Sequence, residues 1–324
     1  MRLLRTFFVL GAVLLVTGCN SVSVRNPGVA LQNTPPSQLP SYNIGDMFVF
    51  DDGYIERVIG VADDSVEWEA ANGHLQYRSH RGFFIPRLGW ETEKSKGVGY
   101  VSRGTDLNAL WPLTPGSDQR FVTYYQVTDK QEGSVKPVDV VWRCDVLSAE
   151  RIEVPAGVFD TIPVECDRFG GYGVSEKKWQ TRIWYFAPSV GHYVRIVDEL
   201  QAATLRPYRV IQRDLALYVP ALSGVSAIER EQLEFHFQNA LETLTSGSAS
   251  EWTNDTETVG QTISLTRSFV TTDNKFCREF SMSFKEHGSS RQFDATACKT
   301  SNAWRYAVAR GKLAGLHPSI QGAN

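Results

Sequence analysis

The sequence lacks a basic stripe, a second long apolar run and closely spaced cysteines. Lys and Arg total 33 against 36 Asp and Glu, for a net charge of -3, so no basic face predicts a nucleic-acid partner. Beyond residue 18 no apolar run approaches the ~20 residues of a membrane-spanning helix. No two cysteines lie at the short spacing typical of zinc ligands. We therefore expect no nucleic acid, no second membrane anchor, no metal and no cofactor.

Patterns of catalytic residues are also missing. The histidines are scattered and no G-x-S-x-G motif accompanies them, whereas a Ser-His-Asp hydrolase needs a base oriented beside its nucleophile. The acidic pairs Asp51-Asp52 and Asp63-Asp64 could serve acid-base chemistry or calcium, but their turn-like neighbours predict solvated turn residues. The sequence thus predicts a protein that is not an enzyme. A hydrolase whose histidine and carboxylate meet only in the fold is the alternative.

The N-terminus carries a targeting segment. Arg2 and Arg5 precede the apolar run Phe7 to Val16, whose length is typical of a signal peptide rather than of a spanning helix. Val16-Thr17-Gly18 then stands directly before Cys19. This pattern resembles the bacterial lipobox, which implies a signal peptide over 1–18, cleavage before Cys19 and acylation of that cysteine by palmitate-like chains. An ordinary secretory signal with a chance cysteine, or an uncleaved anchor, is the alternative.

Acylation of Cys19 would fix the chain to a membrane, since each buried methylene contributes ~0.8 kcal/mol and two or more chains hold a protein stably. Asn20 follows the cysteine. Lipoproteins with a residue other than aspartate there are usually sorted to the outer membrane, so the resemblance implies that location, facing the periplasm or the cell surface. The segment 19–43 is rich in proline and small polar residues, which predicts a disordered tether.

The remaining cysteines predict two disulfides. Of the five cysteines four remain after Cys19, and an even number in an exported chain favours disulfides, with three connectivities open. Cys144 and Cys166 are symmetric about a turn at Val154 to Gly157, and Cys277 and Cys298 about a polar stretch near residue 288. Residues opposed across a hairpin come close enough to bond. We expect Cys144–Cys166 and Cys277–Cys298; four buried free thiols are the alternative.

Residues 44–220 predict an all-β domain. Strand-like runs are separated by turn signals every eight to twelve residues, which favours a curved antiparallel sheet; the glycine-rich stretch 90–108 predicts a loop. Motifs such as 109–113, 154–161 and 184–191 resemble those of exported bacterial β-proteins of unknown function. The tryptophans of this region could line a cavity for an apolar ligand, or equally build an ordinary sheet core: Trp68, Trp111, Trp142 and Trp184.

Residues 226–307 predict a smaller α+β domain. Ser226 and Glu229 form a capping box, and apolar residues then recur at helical spacing over 227–244, so we expect one amphipathic helix packed on an antiparallel sheet. The motifs Trp252-Thr253-Asn254 and Cys277-Arg278-Glu279-Phe280 follow in order. Over 232–306 the chain resembles the rickettsial 17 kDa surface antigen family of outer-membrane lipoproteins. It lacks that family's glycine zipper, and residues 308–324 predict a disordered tail.

These features together predict an outer-membrane lipoprotein that acts as a non-enzymatic structural or interaction module of the cell envelope. Its expected partners are the membrane, through the lipid on Cys19, and an envelope protein. The alternative is a carrier that holds a lipid or another hydrophobic ligand in the first domain.

Overall fold

The computed structural model describes residues 28–307, except 71–74, 83, 85–86, 103–104, 172–176, 203–206, 222–224, 273, 287–288 and 301–302. The predicted signal peptide at 1–18, the cysteine at position 19 and the predicted tail at 308–324 lie outside the described residues. Within the described part of the chain, no helix has both the length and the apolar character to cross a bilayer.

The chain forms two antiparallel sheets and one helix. The strands of the first sheet are β1 (Val29–Ala30), β2 (Met47–Phe50), β3 (Ile55–Val61), β4 (Ser65–Ala70), β5 (Leu75–His80), β6 (Gly89–Thr92), β7 (Ser95–Val101), β8 (Asp118–Asp129), β9 (Val135–Val146), β10 (Glu150–Val154), β11 (Gly157–Gly171), β12 (Lys178–Ala187), β13 (His192–Leu200) and β14 (Arg209–Val219). The helix α1 (Ala227–Thr243) and the strands β15 (Ala249–Thr253), β16 (Val259–Val270), β17 (Phe276–Glu286), β18 (Ser289–Thr300) and β19 (Ala303–Ala307) follow.

The first sheet closes on itself. Its strands run β10-β11-β12-β13-β14-β2 and then β3 through β9 in order, and β9 also pairs with β11. Strand β9 shows why the interior is apolar: Trp142 and Cys144 are buried whereas Arg143 and Asp145 are exposed, because successive side chains point to opposite faces. The predicted curved antiparallel sheet is confirmed, and its curvature extends to closure.

The prediction of a loop over 90–108 is wrong, because β6 and β7 occupy most of its first half. The glycines there serve cross-strand packing rather than turns. A Cβ at Gly97 would overlap the Trp90 ring, and one at Gly99 would lie 2.7 Å from the Tyr125 ring. Glycine in a strand often marks such a close approach.

The prediction of a disordered tether reaching residue 43 is corrected for the residues that the structure describes. Strand β1 pairs with β10, and Ser37 bridges to Leu113. Tyr42 is 6% exposed and belongs to the core of the first sheet. The polar, proline-rich composition of this segment does not predict these contacts, because each contact is made by one or two residues and leaves no periodic pattern in the sequence.

The second sheet and its helix have their own core. Phe237, Ala240 and Leu241 of α1 pack on apolar residues of β16 to β19, as the helical spacing predicts. The capping box is present: the Glu229 backbone N–H donates to Ser226 Oγ at 3.2 Å, and the Ser226 N–H donates to the Glu229 carboxylate at 2.8 Å. A helix packed on an antiparallel sheet is therefore confirmed for this domain.

The two sheets share an interface. Met47, Val49 and Ile55 lie on the outer face of β2 and β3, and they are buried against Phe284 and Phe293 of the second sheet. The alternate residues of the same strands face the interior of the first sheet. Strand β2 and the beginning of β3 are thus buried on both faces.

Both disulfides join directly opposed residues. Cys144 of β9 faces Cys166 of β11, and Cys277 of β17 faces Cys298 of β18. The structure bonds Cys144 to Cys166 and Cys277 to Cys298. The first disulfide therefore joins the two strands that close the sheet.

Gly97→Ala should lower the free energy of unfolding by about 1–3 kcal/mol, the usual cost of overpacking, because the new methyl group displaces the Trp90 ring. Urea unfolding of the variant and the wild type measures the difference. Gly89→Ala on the neighbouring strand is the control, since its Cβ would meet only the Gly97 carbonyl oxygen at 3.7 Å. Equal effects of the two substitutions would contradict this explanation.

Replacing both Cys144 and Cys166 by alanine should destabilise the protein by about 3 kcal/mol, since the bond closes a loop of this length in the unfolded chain. The sequence separation is 22 residues, against 21 for the second disulfide, so the corresponding Cys277 and Cys298 variant should lose a similar amount. Chemical denaturation without reductant measures both. A loss below about 1 kcal/mol for either pair would contradict the loop-closure argument.

Candidate functional site: a polar cavity inside the closed sheet

A cavity of about 100 Å³ opens inside the first sheet. It is larger than the ~10–15 Å³ that one water needs and smaller than the ~300–1,000 Å³ of a site for a drug-sized ligand. Aromatic rings form much of its wall: Tyr54, Trp68, Tyr77, Trp142, Trp184 and Tyr193. The charged side chains that line it are Glu56, Arg87, Arg182, Asp198 and Arg213.

At one end of the cavity the Glu56 carboxylate is buried among three donors. The Tyr77 hydroxyl donates to Oε1 at 2.8 Å, and the Tyr193 hydroxyl donates to Oε2 at 2.7 Å. His192 Nε2 lies 3.3 Å from the same Oε2. The carboxylate is only 4% exposed, so these donors replace the water that it loses on burial.

The positions of His192 and Tyr193 depend on a bulge. Neighbouring residues of a regular strand face opposite sides, yet both of these side chains reach Glu56. The register between β12 and β13 shifts, so that Phe186 pairs with Tyr193 while Tyr185 pairs with Arg195. Such an irregularity redirects side chains locally, and it lets two consecutive residues bind one carboxylate.

The hydrogen bonds assign the tautomer of His192. A carboxylate only accepts hydrogen bonds, so Nε2 must carry the proton that faces Glu56. Nδ1 of the neutral ring is then an acceptor, and the Tyr42 hydroxyl donates to it at 2.9 Å. Phe48 stacks on the imidazole with ring centroids 3.9 Å apart. The ring is therefore fixed from three directions.

The surroundings of His192 and Glu56 set the ionisation of both side chains. Burial lowers the pKa of His192, against the opposing effect of Glu56, so the imidazole is neutral at neutral pH. Burial alone would raise the pKa of Glu56, but the hydrogen bond and the charge interaction with His192, followed by the hydrogen bonds from Tyr193 and Tyr77, outweigh it and the pKa is lowered. Glu56 is thus an ionised carboxylate held by His192, Tyr193 and Tyr77.

Arginines stand over aromatic rings around the rest of the cavity. Arg213 lies 3.8 Å above the Tyr54 ring, and Arg182 lies 5.4 Å from the Trp184 ring. Two of the three lining arginines have acidic partners: Arg182 donates to both oxygens of Asp198, and Arg213 donates to Asp52. The turn residue Asp52 is therefore paired with an arginine, not simply solvated.

The third arginine of the cavity wall, Arg87, differs from Arg182 and Arg213 in its partners. The Arg87 guanidinium lies 4.5 Å from the centroid of the Tyr77 ring and, among the residues that the structure describes, has no carboxylate partner. Trp142 Nε1 is buried and has no acceptor within the described part of the chain. Arg87 is therefore the one arginine of the described lining without an acidic partner.

Three of the four tryptophans predicted to line a ligand site do line this cavity: Trp68, Trp142 and Trp184. Trp68 Nε1 donates to Ser79 Oγ at 3.0 Å. Trp111 lies elsewhere, stacked on Phe84 at 5.4 Å. The cavity is mixed in character, since charged side chains alternate with these rings.

The sequence analysis missed the polar half of the site. A signal existed: Arg182 and Trp184 share one face of β12, and Glu56 shares a face with buried Val58 on β3. A charged residue two positions from a core residue of the same strand is an inward-facing charge. Tyr42 was missed because it lies in the predicted tether.

No metal centre is present in the described part of the chain, where no three His, Cys, Asp or Glu side chains are arranged to hold an ion. His236 lies in the second domain, between Gln261 and Ser250. His74, His287 and His317 lie outside the described residues. Cys19, the predicted lipid attachment site, also lies outside the described residues.

A scan against protein-family models found no match, and a search of curated proteins found none either. Among solved structures, the hypothetical lipoprotein YmcC of Escherichia coli K12 aligns with 59% of this chain and 88% of its own at 13% identity, with a TM-score of 0.36. An exported protein with a YmcC-like fold from Bacteroides fragilis aligns with 57% of this chain and 100% of its own at 13% identity, with a TM-score of 0.34.

The names of these two proteins, a lipoprotein and an exported protein, fall in the class that the motifs of the first domain resemble. At such TM-scores the likeness carries no argument about the function of this chain. The resemblance of residues 232–306 to the rickettsial surface antigen family stays a prediction.

Glu56→Gln should lower the free energy of unfolding at pH 7 by about 2–3 kcal/mol, because three buried donors lose a charged acceptor. The lowered pKa of Glu56 means that its ionisation stabilises the fold above about pH 4.3, its ordinary value, and that this contribution is lost as pH falls through the lower folded value. The gap between wild type and variant should therefore narrow below about pH 4.3. Denaturant unfolding between pH 7 and pH 3 measures it.

The matched control for this substitution is Glu67→Gln, which changes an exposed carboxylate on the neighbouring strand β4. It should leave stability within about 0.5 kcal/mol of the wild type. An equal loss in both variants, or a gap for Glu56→Gln that does not change with pH, would contradict the assignment.

Proposed function

We propose that this chain is a lipid-anchored protein of the bacterial cell envelope that acts as a non-enzymatic interaction module. The observation that carries the proposal is the pair of disulfides, each between directly opposed strand residues, in a chain whose N-terminus resembles a lipobox. Disulfides form and persist in oxidising compartments. The two features are independent of each other and favour the same location.

The packed segment 28–43 supports a short connection between the folded part and the proposed anchor. Gly28 is held at the sheet, since its backbone N–H donates to the Glu150 carboxylate at 2.6 Å. Gly28 lies nine positions after Cys19, a distance of at most about 30 Å when the chain is fully extended. An acylated Cys19 would therefore keep the β1 and β10 side of the first sheet close to the bilayer.

The finer assignments belong to the same proposal. Asn20 favours sorting to the outer membrane, and the resemblance over residues 232–306 favours a surface-antigen-like second domain with an envelope protein as partner. A non-enzymatic role is supported by the cavity, where the groups capable of proton transfer are engaged with one another: Glu56 accepts three hydrogen bonds, and both ring nitrogens of His192 have partners.

The alternative function, transport of a lipid, receives little support from the cavity. Its volume of about 100 Å³ is below the ~300 Å³ of the smallest ligand sites for drug-sized molecules. Five charged side chains line it, and an acyl chain would have to desolvate them without satisfying them.

Cys19→Ser should release the protein from membranes, because the acyl chains that supply ~0.8 kcal/mol per buried methylene are absent. Density-gradient fractionation of cells locates the chain, and mass spectrometry of its N-terminal peptide detects the acyl groups. The wild type should carry them and sediment with the outer membrane.

Ser21→Ala is the matched control and should behave as the wild type does. A wild-type N-terminus without acyl groups, or a Cys19→Ser variant that still sediments with membranes, would overturn the anchoring proposal.

A further inference from the structure

The acidic groups of the cavity are already satisfied. Glu56 accepts from Tyr77, Tyr193 and His192. Asp198 accepts from Arg182 and from Gln180, the latter at 2.6 Å. Neither carboxylate has a need for a further cation or donor.

One cationic donor at the cavity has no carboxylate partner among the described residues. The half-buried Arg87 presents its guanidinium beside the Tyr77 ring there. An arginine fork matches the two oxygens of a carboxylate or phosphate. An anion beside Arg87 would therefore give this guanidinium the partner that the described residues do not supply.

The charges of the wall limit that anion to a single negative charge. Glu56 and Asp198 both line the cavity and would repel a doubly charged phosphate. Arg182 and Arg213 are already paired with acids, and the ionised Glu56 offsets the charge of Arg87, so the wall has no surplus positive charge for a second negative charge on the ligand. A monovalent carboxylate fits this balance better than a divalent group does.

The rest of the wall limits the size and polarity of the ligand. Trp142 and Trp184 have ring centroids 6.5 Å apart, and Ile196 lies in the same wall. Flat apolar surfaces of this kind favour stacking of a planar apolar body. The volume admits one compact molecule but not a long chain.

We propose that the cavity binds a small monovalent carboxylate with a compact planar body, its carboxylate at Arg87 and its body against Trp142 and Trp184. This site does not depend on the membrane anchor, so its test and that of the proposed function fail separately.

Isothermal titration calorimetry on the full chain, purified in detergent with both disulfides formed, tests the proposal with benzoate as the probe. Benzamide has the same shape without the charge and should bind at least tenfold more weakly. Inorganic phosphate and palmitate should each bind more weakly than benzoate. Arg87→Gln should abolish the preference for benzoate over benzamide, while Arg120→Gln, an exposed arginine on β8, should retain it.

A second variant keeps the test decisive if Arg87→Gln fails to fold. Ile196→Phe fills the cavity without altering a charge and should abolish benzoate binding. The proposal is overturned by the absence of benzoate binding, by equal affinity for benzamide, by tighter binding of phosphate or palmitate, by an undiminished preference in Arg87→Gln, or by benzoate binding that survives in Ile196→Phe.

Discussion

The buried carboxylate of Glu56 is the interaction on which the first domain depends. A carboxylate inside a closed sheet is stable only if donors surround it, and Glu56 takes its donors from β5 and β13. Because β14 and β2 separate β13 from β3 within the sheet, these hydrogen bonds cross the interior rather than follow the ladder. They join strands that are not neighbours in the sheet, and the cavity lies beside them.

The strands that carry this carboxylate also carry the interface with the second domain. On β2, Phe48 faces inward and stacks on His192, while Met47 and Val49 face outward against the second sheet. On β3, Glu56 faces inward and Ile55 outward. The second domain thus packs against the strands that carry Glu56. A rearrangement at the interface would therefore shift the position of Glu56. Burial of these residues on both faces explains why the two domains pack against each other at β2 and β3.

Local sequence patterns were sufficient to predict much of the fold, but the pairing of residues far apart in the sequence could not be predicted from them. Strand alternation, the capping box of Ser226 and the symmetry of the cysteines about two turns each depend on a few neighbouring residues, and they led to the antiparallel sheets, to α1 and to the disulfide pairs that the structure contains. Closure of the sheet depends on β9 pairing with β11, and the Glu56 site on contacts to residues 136 and 137 positions away. A bulge near Phe186 is needed as well. The glycines of 90–108, Gly97 among them, led to the wrong prediction of a loop. Composition alone does not distinguish a glycine in a turn from a glycine packed beneath a tryptophan ring.

The ionisation of Glu56 is the most direct test of this account. Infrared difference spectroscopy of the wild type against Glu56→Gln isolates the carboxyl band of this side chain, and a pH titration then follows its protonation in the folded protein. The account predicts a carboxylate that remains ionised below about pH 4.3, the ordinary value for glutamate, because His192, Tyr193 and Tyr77 hold its charge. Protonation above that value would contradict it, since it would show that burial outweighs Tyr77, Tyr193 and His192.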